Sequence, residues 1–346
     1  MKVLLGVHEA SFAHEAGVGH PESPERLRAV VRGAESAGLG DLLVTFAPRA
    51  ASAEEIERVH TQRYIHELEK FCREGGGRLD PDTAVTPASY QAANHGAGAG
   101  IDAVSRLRAG EASAAFLALR PPGHHALSER AMGFCLLNNI AITAAALVRE
   151  GERVVIVDID AHHGNGTQAA FYSDPRVLYI SMHQYPLYPG SGELSEVGEA
   201  GASGCTINLP FPAKTTGDAY SLAFDEVVIP ACERFGPTWL LVSAGFDAHR
   251  EDPLTDLGLT AGDYAVMTQK LMDLSIPGRR IFFLEGGYHP LALERSVMAT
   301  LAVLGASTFE TETVSGSGSD GLRGATGEAG RIVDRARQLQ ERIFNS

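Results

Sequence analysis

Residues 154–166 read Val-Val-Ile-Val-Asp-Ile-Asp-Ala-His-His-Gly-Asn-Gly, a β-branched run that passes directly into acids and imidazoles. In an extended chain alternate side chains share a face, so Asp158, Asp160 and His162 point one way and Ile159 and Ala161 the other. Carboxylates gathered in a row need a counter-charge, either a metal ion or a cationic group. A second apolar run, Trp239–Ser243, leads through Gly245 and Phe246 to Asp247. An acid after a strand is ordinarily a helix N-cap. Paired with Asp160 and His162, it becomes a third ligand to one divalent ion, with a position left open for water and substrate. Zinc is the first choice, and Fe(II), Mn(II) or Co(II) also suit so oxygen-rich a set.

Two further motifs supply acid–base and hydrogen-bonding groups. Arg120-Pro-Pro-Gly-His124-His125-Ala126 places adjacent imidazoles in a loop stiffened by two prolines, as general acid and base groups require. In the same connection Gly133-Phe134 offers an aromatic wall, or simply a core side chain. The run Ile281–Leu284 is followed by Glu285-Gly286-Gly287-Tyr288. Consecutive glycines let the backbone approach a site closely, and the phenol can donate to a developing oxyanion. Metal, base, base orienter and oxyanion donor together point to metal-assisted hydrolysis of an amide. No Gly-x-Ser-x-Gly, P-loop or dinucleotide fingerprint competes.

The elements that must position these groups follow from the hydrophobic pattern. Buried strands are expected at Lys2–Val7, Ala114–Leu117, Val154–Val157, Val177–Ser181, Thr206–Leu209, Trp239–Ser243 and Ile281–Leu284. Helices are expected at Pro24–Ser36, Ala88–Arg108, Asn138–Arg149, Asp218–Phe235, Thr260–Leu274 and Pro290–Leu304. Such alternation implies a mostly parallel, doubly wound sheet whose ligand crevice lies at the carboxyl ends of the strands, where every motif above falls. Ser52-x-x-Glu55 reads as a capping box and Thr260-x-x-Asp263 as a weaker helix start. One continuous domain spans 1–304. Residues 305–330, with Ser315-Gly-Ser-Gly-Ser319, read as a flexible connection, and 331–346 as a C-terminal surface helix.

With 44% hydrophobic and 21% charged residues, the 346-residue chain is folded rather than disordered, collagenous or coiled-coil. Its 29 basic against 43 acidic residues, net −14, disfavour nucleic acid as a partner. No apolar window is long enough for a membrane span, and Val3–Val7 is too short for a signal-peptide core. Four scattered cysteines without a CxxC pair suit a reducing compartment, so a cytoplasmic location is expected. Self-association stays open.

The chain resembles the histone deacetylase superfamily, which includes bacterial histone-deacetylase-like amidohydrolases and acetylpolyamine amidohydrolases. The likeness covers about residues 1–304. It rests on Gly19-His-Pro-Glu-Ser-Pro-Glu-Arg26-Leu27, PPGHHA, GFCLLNN, DIDAHHGNG, SMH, SAGFDAH, DPL and EGGY in family order; HPE-x-P-x-R and HHGNG are similar to class II forms. The resemblance implies an arginase-like α/β fold, a single domain with an eight-stranded parallel sheet flanked by helices, and zinc on Asp160, His162 and Asp247. It implies His124 and His125 as the tandem catalytic pair, Tyr288 as oxyanion donor, Asp158 behind His124 and Asn165 behind His125. Many relatives carry Asp at the position of Asn165; a neutral amide leaves His125 less basic. Gly133, Phe134, Tyr188 and Leu254 would line a tunnel for the stem of an acyl-lysine, and Arg26 would belong to an internal product channel. A structural potassium ion would lie at Asp158, Asp160, His162 and Ser181.

Removal of acetyl or other short acyl groups from lysine side chains of proteins or peptides is therefore expected. An acetylpolyamine amidohydrolase is the nearest rival, a small acylated amine then being the substrate. Leu254 stands where a eukaryotic polyamine deacetylase carries glutamate, and Glu74–Pro87 leaves little room for an entrance insertion. Asp82 is placed near the rim, able to bind a peptide amide or an ammonium. A ureohydrolase would need more carboxylates than His163-Gly-Asn165 provides, and a non-catalytic acyl-lysine-binding module would be marked by loss of Tyr288 or a ligand; neither is lost.

Overall fold

The computed structural model describes residues 1–274, 277–316 and 325–344. Its strands are β1 (Val3–Gly6), β2 (Leu43–Phe46), β3 (Gly77–Arg78), β4 (Ala84–Val85), β5 (Ala114–Leu117), β6 (Val154–Asp158), β7 (Val177–Gln184), β8 (Thr206–Phe211), β9 (Trp239–Ala244) and β10 (Arg280–Leu284). Eight of them form one parallel sheet in the order β2-β1-β5-β10-β9-β6-β7-β8, while β3 and β4 make a separate antiparallel ribbon.

The strands are apolar throughout because both sheet faces are covered. Val155 and Val157 enter one core with Leu240, Val242 and Phe282. The alternate residues Val154 and Ile156 enter the opposite core with Leu241, Ile281 and Phe283. Helices Pro24–Ser36, Ala261–Asp273 and Pro290–Gly305 cover the first face through Leu27, Met267 and Val297. Helices Ser89–Arg108 and Asn139–Arg149 cover the second through Ala103 and Leu147. Residues 217–235 are helical with a π segment, Phe224–Val228, in the middle. Both expected helix starts are closed capping boxes. Glu55 N–H donates to Ser52 Oγ at 3.3 Å, and Ser52 N–H donates to the Glu55 carboxylate at 2.8 Å; Thr260 and Asp263 are likewise reciprocal.

Seven sheet strands coincide with the expected runs, several extending further. The eighth, β2, was not among them. It is an edge strand of four residues that pairs only with β1, and three of its residues are partly or fully exposed, so its sequence carries little apolar signal. The final helix, Glu328–Phe344, begins earlier than expected and buries Ala329, Val333 and Ala336 in the first core. The stretch expected to connect flexibly is tied down over part of its length. Glu312 accepts from His249 Nε2 and Ala261 N–H, and Ser315 donates to Asp263 while accepting from Gly217 N–H. Residues 317–324 lie outside the described residues.

Candidate active site

β6 ends at Asp158, yet the alternation persists through the bend beyond it. Ile159 and Ala161 stay in the apolar core, and Asp160 and His162 meet outside it. Asp247, three residues beyond β9, joins them. His162 Nδ1 stands 3.2 Å from Asp160 Oδ1 and 2.8 Å from Asp247 Oδ2, and one donor atom from each residue lies within 4.8 Å of the other two. Backbone amides aim the carboxylates: Gly286 N–H donates to Asp160 Oδ2 at 2.7 Å and Ala161 N–H to Asp247 Oδ1 at 2.8 Å. Gly286 is required there, because a Cβ would lie 2.4 Å from Asp247 Oδ2 and 2.6 Å from Asp160 Oδ2.

The electrostatics show that this cluster calls for positive charge. Burial alone would discharge His162, but hydrogen bonds and fields from Asp160 and Asp247 raise its pKa to about 10. Burial and the adjacent Asp160 push Asp247 up to about 7. Two buried carboxylates that hold a proton on an imidazole favour a divalent cation still more, and a two-oxygen, one-nitrogen set with an open side fits such an ion. A second cluster, His124, Cys135 and Glu285, also lies within 4.8 Å. Burial drives the Cys135 thiol in that cluster well above its ordinary pKa.

The paired imidazoles sit beside the first cluster, ring centroids 4.0 Å apart. His124 Nδ1 lies 3.1 Å from Asp158 Oδ2, whose other contacts are Tyr179 Oη and Asp160 N–H. Burial opposes a charge on His124, but Asp160, Asp158 and Glu285 raise its pKa to about 10. His125 differs: burial, then His124 and His162, hold it well below the usual imidazole range. Its Nδ1 lies 2.8 Å from Asn165 Oδ1. The two adjacent rings are thus shifted in opposite directions, His124 toward its charged form and His125 toward its neutral one.

Gly133 and Tyr188 pack against His125, and Phe134 against Tyr288. A Cβ on Gly133 would fall 2.5 Å from His125 Cδ2, and the residue has φ 56°, so only glycine lets that ring lie where it does. The Tyr188 ring stands edge-on to His125 at 5.2 Å and is 38% exposed. Phe134 packs edge-on to Tyr288 at 5.7 Å, and Thr83 Oγ1 accepts from Phe134 N–H. Asp82 lies on the ribbon loop, takes a bond from Thr83 Oγ1, and is close enough to Gly133 for its carboxylate to accept that residue's amide. Leu254 is 37% exposed, at the same end of the fold. Burial pushes the Tyr288 phenol well up, keeping it a donor, and the Arg26 guanidinium lies 4.7 Å from its ring centre.

Three supporting carboxylates carry no role that their local sequence reveals. Glu285 accepts from Gly123 N–H at 2.7 Å, His124 N–H at 3.2 Å and Ser243 Oγ at 3.2 Å, anchoring the histidine loop. Asp252 accepts from both Tyr288 N–H at 2.7 Å and Leu254 N–H at 3.0 Å. Glu22 bridges Arg120 and Arg26 below the site. Their only local signal was an acid inside the matched motifs EGGY, DPL and HPE-x-P-x-R.

Residues 20–304 match the family profile described as histone deacetylase domain. The chain belongs to the histone deacetylase family. Among its relatives, a probable deacetylase of Archaeoglobus fulgidus is 40% identical over 287 residues, covering 81% of this chain and 80% of that protein. A histone deacetylase-like amidohydrolase of Pseudomonas aeruginosa is 40% identical over 279 residues, 79% of this chain and 73% of its own. The crystal structure of the HDA15 HD domain superposes with a TM-score of 0.89 at 33% identity, covering 99% of this chain and 95% of that one. The eight-stranded parallel sheet is thus the histone deacetylase, arginase-like fold, and the family is one of deacetylases and amidohydrolases, which are hydrolases. Among the described residues no helix is long and apolar enough to cross a membrane.

Proposed function

We propose that this histone deacetylase family member hydrolyses the side-chain amide of acylated lysine in proteins or peptides, with Asp160, His162 and Asp247 holding one catalytic divalent ion, zinc in the first instance. The observation that carries the reading is the juxtaposition of that three-donor cluster with a neutral His125 held by Asn165. A bound divalent ion polarises the amide carbonyl and makes water a better nucleophile. His125 takes the proton from the attacking water through Nε2, because its Nδ1–H is committed to the Asn165 oxygen, and passes it to the departing amine. His124, held by Asp158, supports His125 electrostatically beside the reacting centre. Tyr288 donates to the carbonyl oxygen as negative charge develops there. A structural potassium ion belongs to the same reading, at Asp158, Asp160, His162 and Ser181, where Asp158 pairs with Ser181 across β6 and β7.

Lysine is favoured over polyamine by the apolar rim. Tyr188 and Leu254 offer surface for a methylene stem. The ammonium groups of a polyamine call for carboxylates there; Leu254 offers none, and Asp82, which takes a bond from Thr83 and lies near Tyr188, keeps acceptor sites for a peptide amide or an ammonium. A cytoplasmic location is part of the proposal, consistent with four free cysteines. Metal-stripped protein reconstituted separately with Zn(II), Fe(II), Mn(II) and Co(II) and assayed on an acetyl-lysine peptide tests it. Full turnover without stoichiometric metal overturns the mechanism.

A further inference from the structure

A groove of about 810 Å³ lies between helix Glu328–Phe344, which falls outside residues 20–304 matched by the family profile, and the chain after β7, which falls within them. One wall is the helix flank carrying Ile332, Leu339 and Ile343, at i, i+7 and i+11; the other includes Leu194, Val197 and Pro212. Along the helix rim stand Arg331, Arg335 and Arg342, which at i, i+4 and i+11 share one stripe. Their side chains make no hydrogen bond or ion pair to the described residues, although Arg337 on the same helix pairs with Glu226, Asp334 and Glu341. Three guanidinium groups without a protein partner among the described residues thus stand over an apolar floor, in a chain of net charge −14. Two carboxylates also line the groove. Glu193 takes a bond from Tyr185 Oη at 3.3 Å, and Glu328 stands in the first turn, where the helix dipole favours it.

One end of the groove reaches the carboxyl ends of β7 and β8, where Tyr185, Pro186 and Pro212 line it. Tyr185 and Pro186, which line it, are followed three residues after Tyr185 by Tyr188 against His125, at most about 11 Å of extended chain. We propose that this groove docks a segment of the polypeptide substrate that lies away from the acyl-lysine and carries apolar side chains flanked by carboxylates. The apolar side chains pack on Ile332, Leu339 and Leu194, and the carboxylates pair with the arginine stripe. The occupant's role as substrate rests on the lysine-deacylation reading; its chemistry rests on the groove alone.

The test compares an acetyl-lysine peptide with the same peptide extended by a flexible linker and a Leu/Glu-rich segment, on the wild type and on the R331E/R335E/R342E variant. All three positions are exposed, and thermal melting verifies that the variant is folded. The extension is expected to lower KM about tenfold or more in the wild type, with kcat unchanged, and to lose that advantage in the variant and at high salt. The unextended peptide should be turned over equally by both proteins. An equal KM for the two peptides in the wild type, or an advantage that survives the triple substitution, overturns the proposal. Anisotropy of the labelled extension alone separates the two readings. Binding lost in the variant supports the groove even if no acetyl-lysine peptide is hydrolysed. A wild-type dimer that dissociates in the variant, without peptide binding, overturns the proposal in favour of a second copy as occupant.

Discussion

His125 Nδ1 lies 2.8 Å from Asn165 Oδ1, and because an amide oxygen only accepts, the ring's hydrogen is fixed on Nδ1 and Nε2 is left as the free base. Asn165→Asp puts a negative charge in the same place and raises the His125 pKa. The base then protonates at higher pH, so the acidic limb of kcat/KM against pH moves upward. An unchanged limb would remove His125 from the role of titrating base.

Asp247 contributes both to the donor cluster and to the Ala161 amide. Asp247→Ala is expected to abolish stoichiometric metal binding and turnover together, as read by elemental analysis and a peptide assay. By contrast, His125→Ala should keep its metal while kcat falls by roughly 10²–10⁴.

Tyr288 is held through its backbone by Asp252 and through its ring by Phe134 and Arg26, so removing its hydroxyl leaves the scaffold in place. Tyr288→Phe should lower kcat by about 10²–10³ with a smaller change in KM. A large rise in KM at constant kcat would instead mark a ground-state contact.

Glu22 is fully buried with Arg120, Arg26 and His14 around it. Burial opposes its ionisation, but Arg120 and His14 hold its pKa well below the ordinary value. A depressed carboxylate stabilises the fold above its unfolded pKa, about 4.3, and that contribution is lost as pH falls through the folded value. Glu22→Gln strands two buried guanidinium groups and should cost about 3–5 kcal/mol. It should also flatten the acid side of the Tm–pH curve. Wild-type stability in the variant would contradict the ion-pair account.

What could be read in advance was whatever depends on local spacing. The period of two along 154–162 separates Val155, Val157, Ile159 and Ala161 from Asp158, Asp160 and His162, and the structure keeps that separation even past the strand end. The prolines and glycines of 120–126 likewise mark a stiff loop. Glu285 and Asp252 were not legible as supports because their partners are backbone amides of Gly123, His124 and Tyr288, brought near only by sheet order and crossover. The strand Leu43–Phe46 was hidden by its exposure. The anchoring of Glu312 and Ser315 was hidden because polar residues in a connection look the same whether solvated or bonded to the body.

The most direct measurement is kcat/KM for an acetyl-lysine peptide against N-acetylputrescine and acetylspermidine, under one metal and one salt condition. An apolar rim of Tyr188 and Leu254 predicts preference for the peptide by about tenfold or more, worth ~1.4 kcal/mol in transition-state binding. A tenfold preference for the polyamines would contradict it.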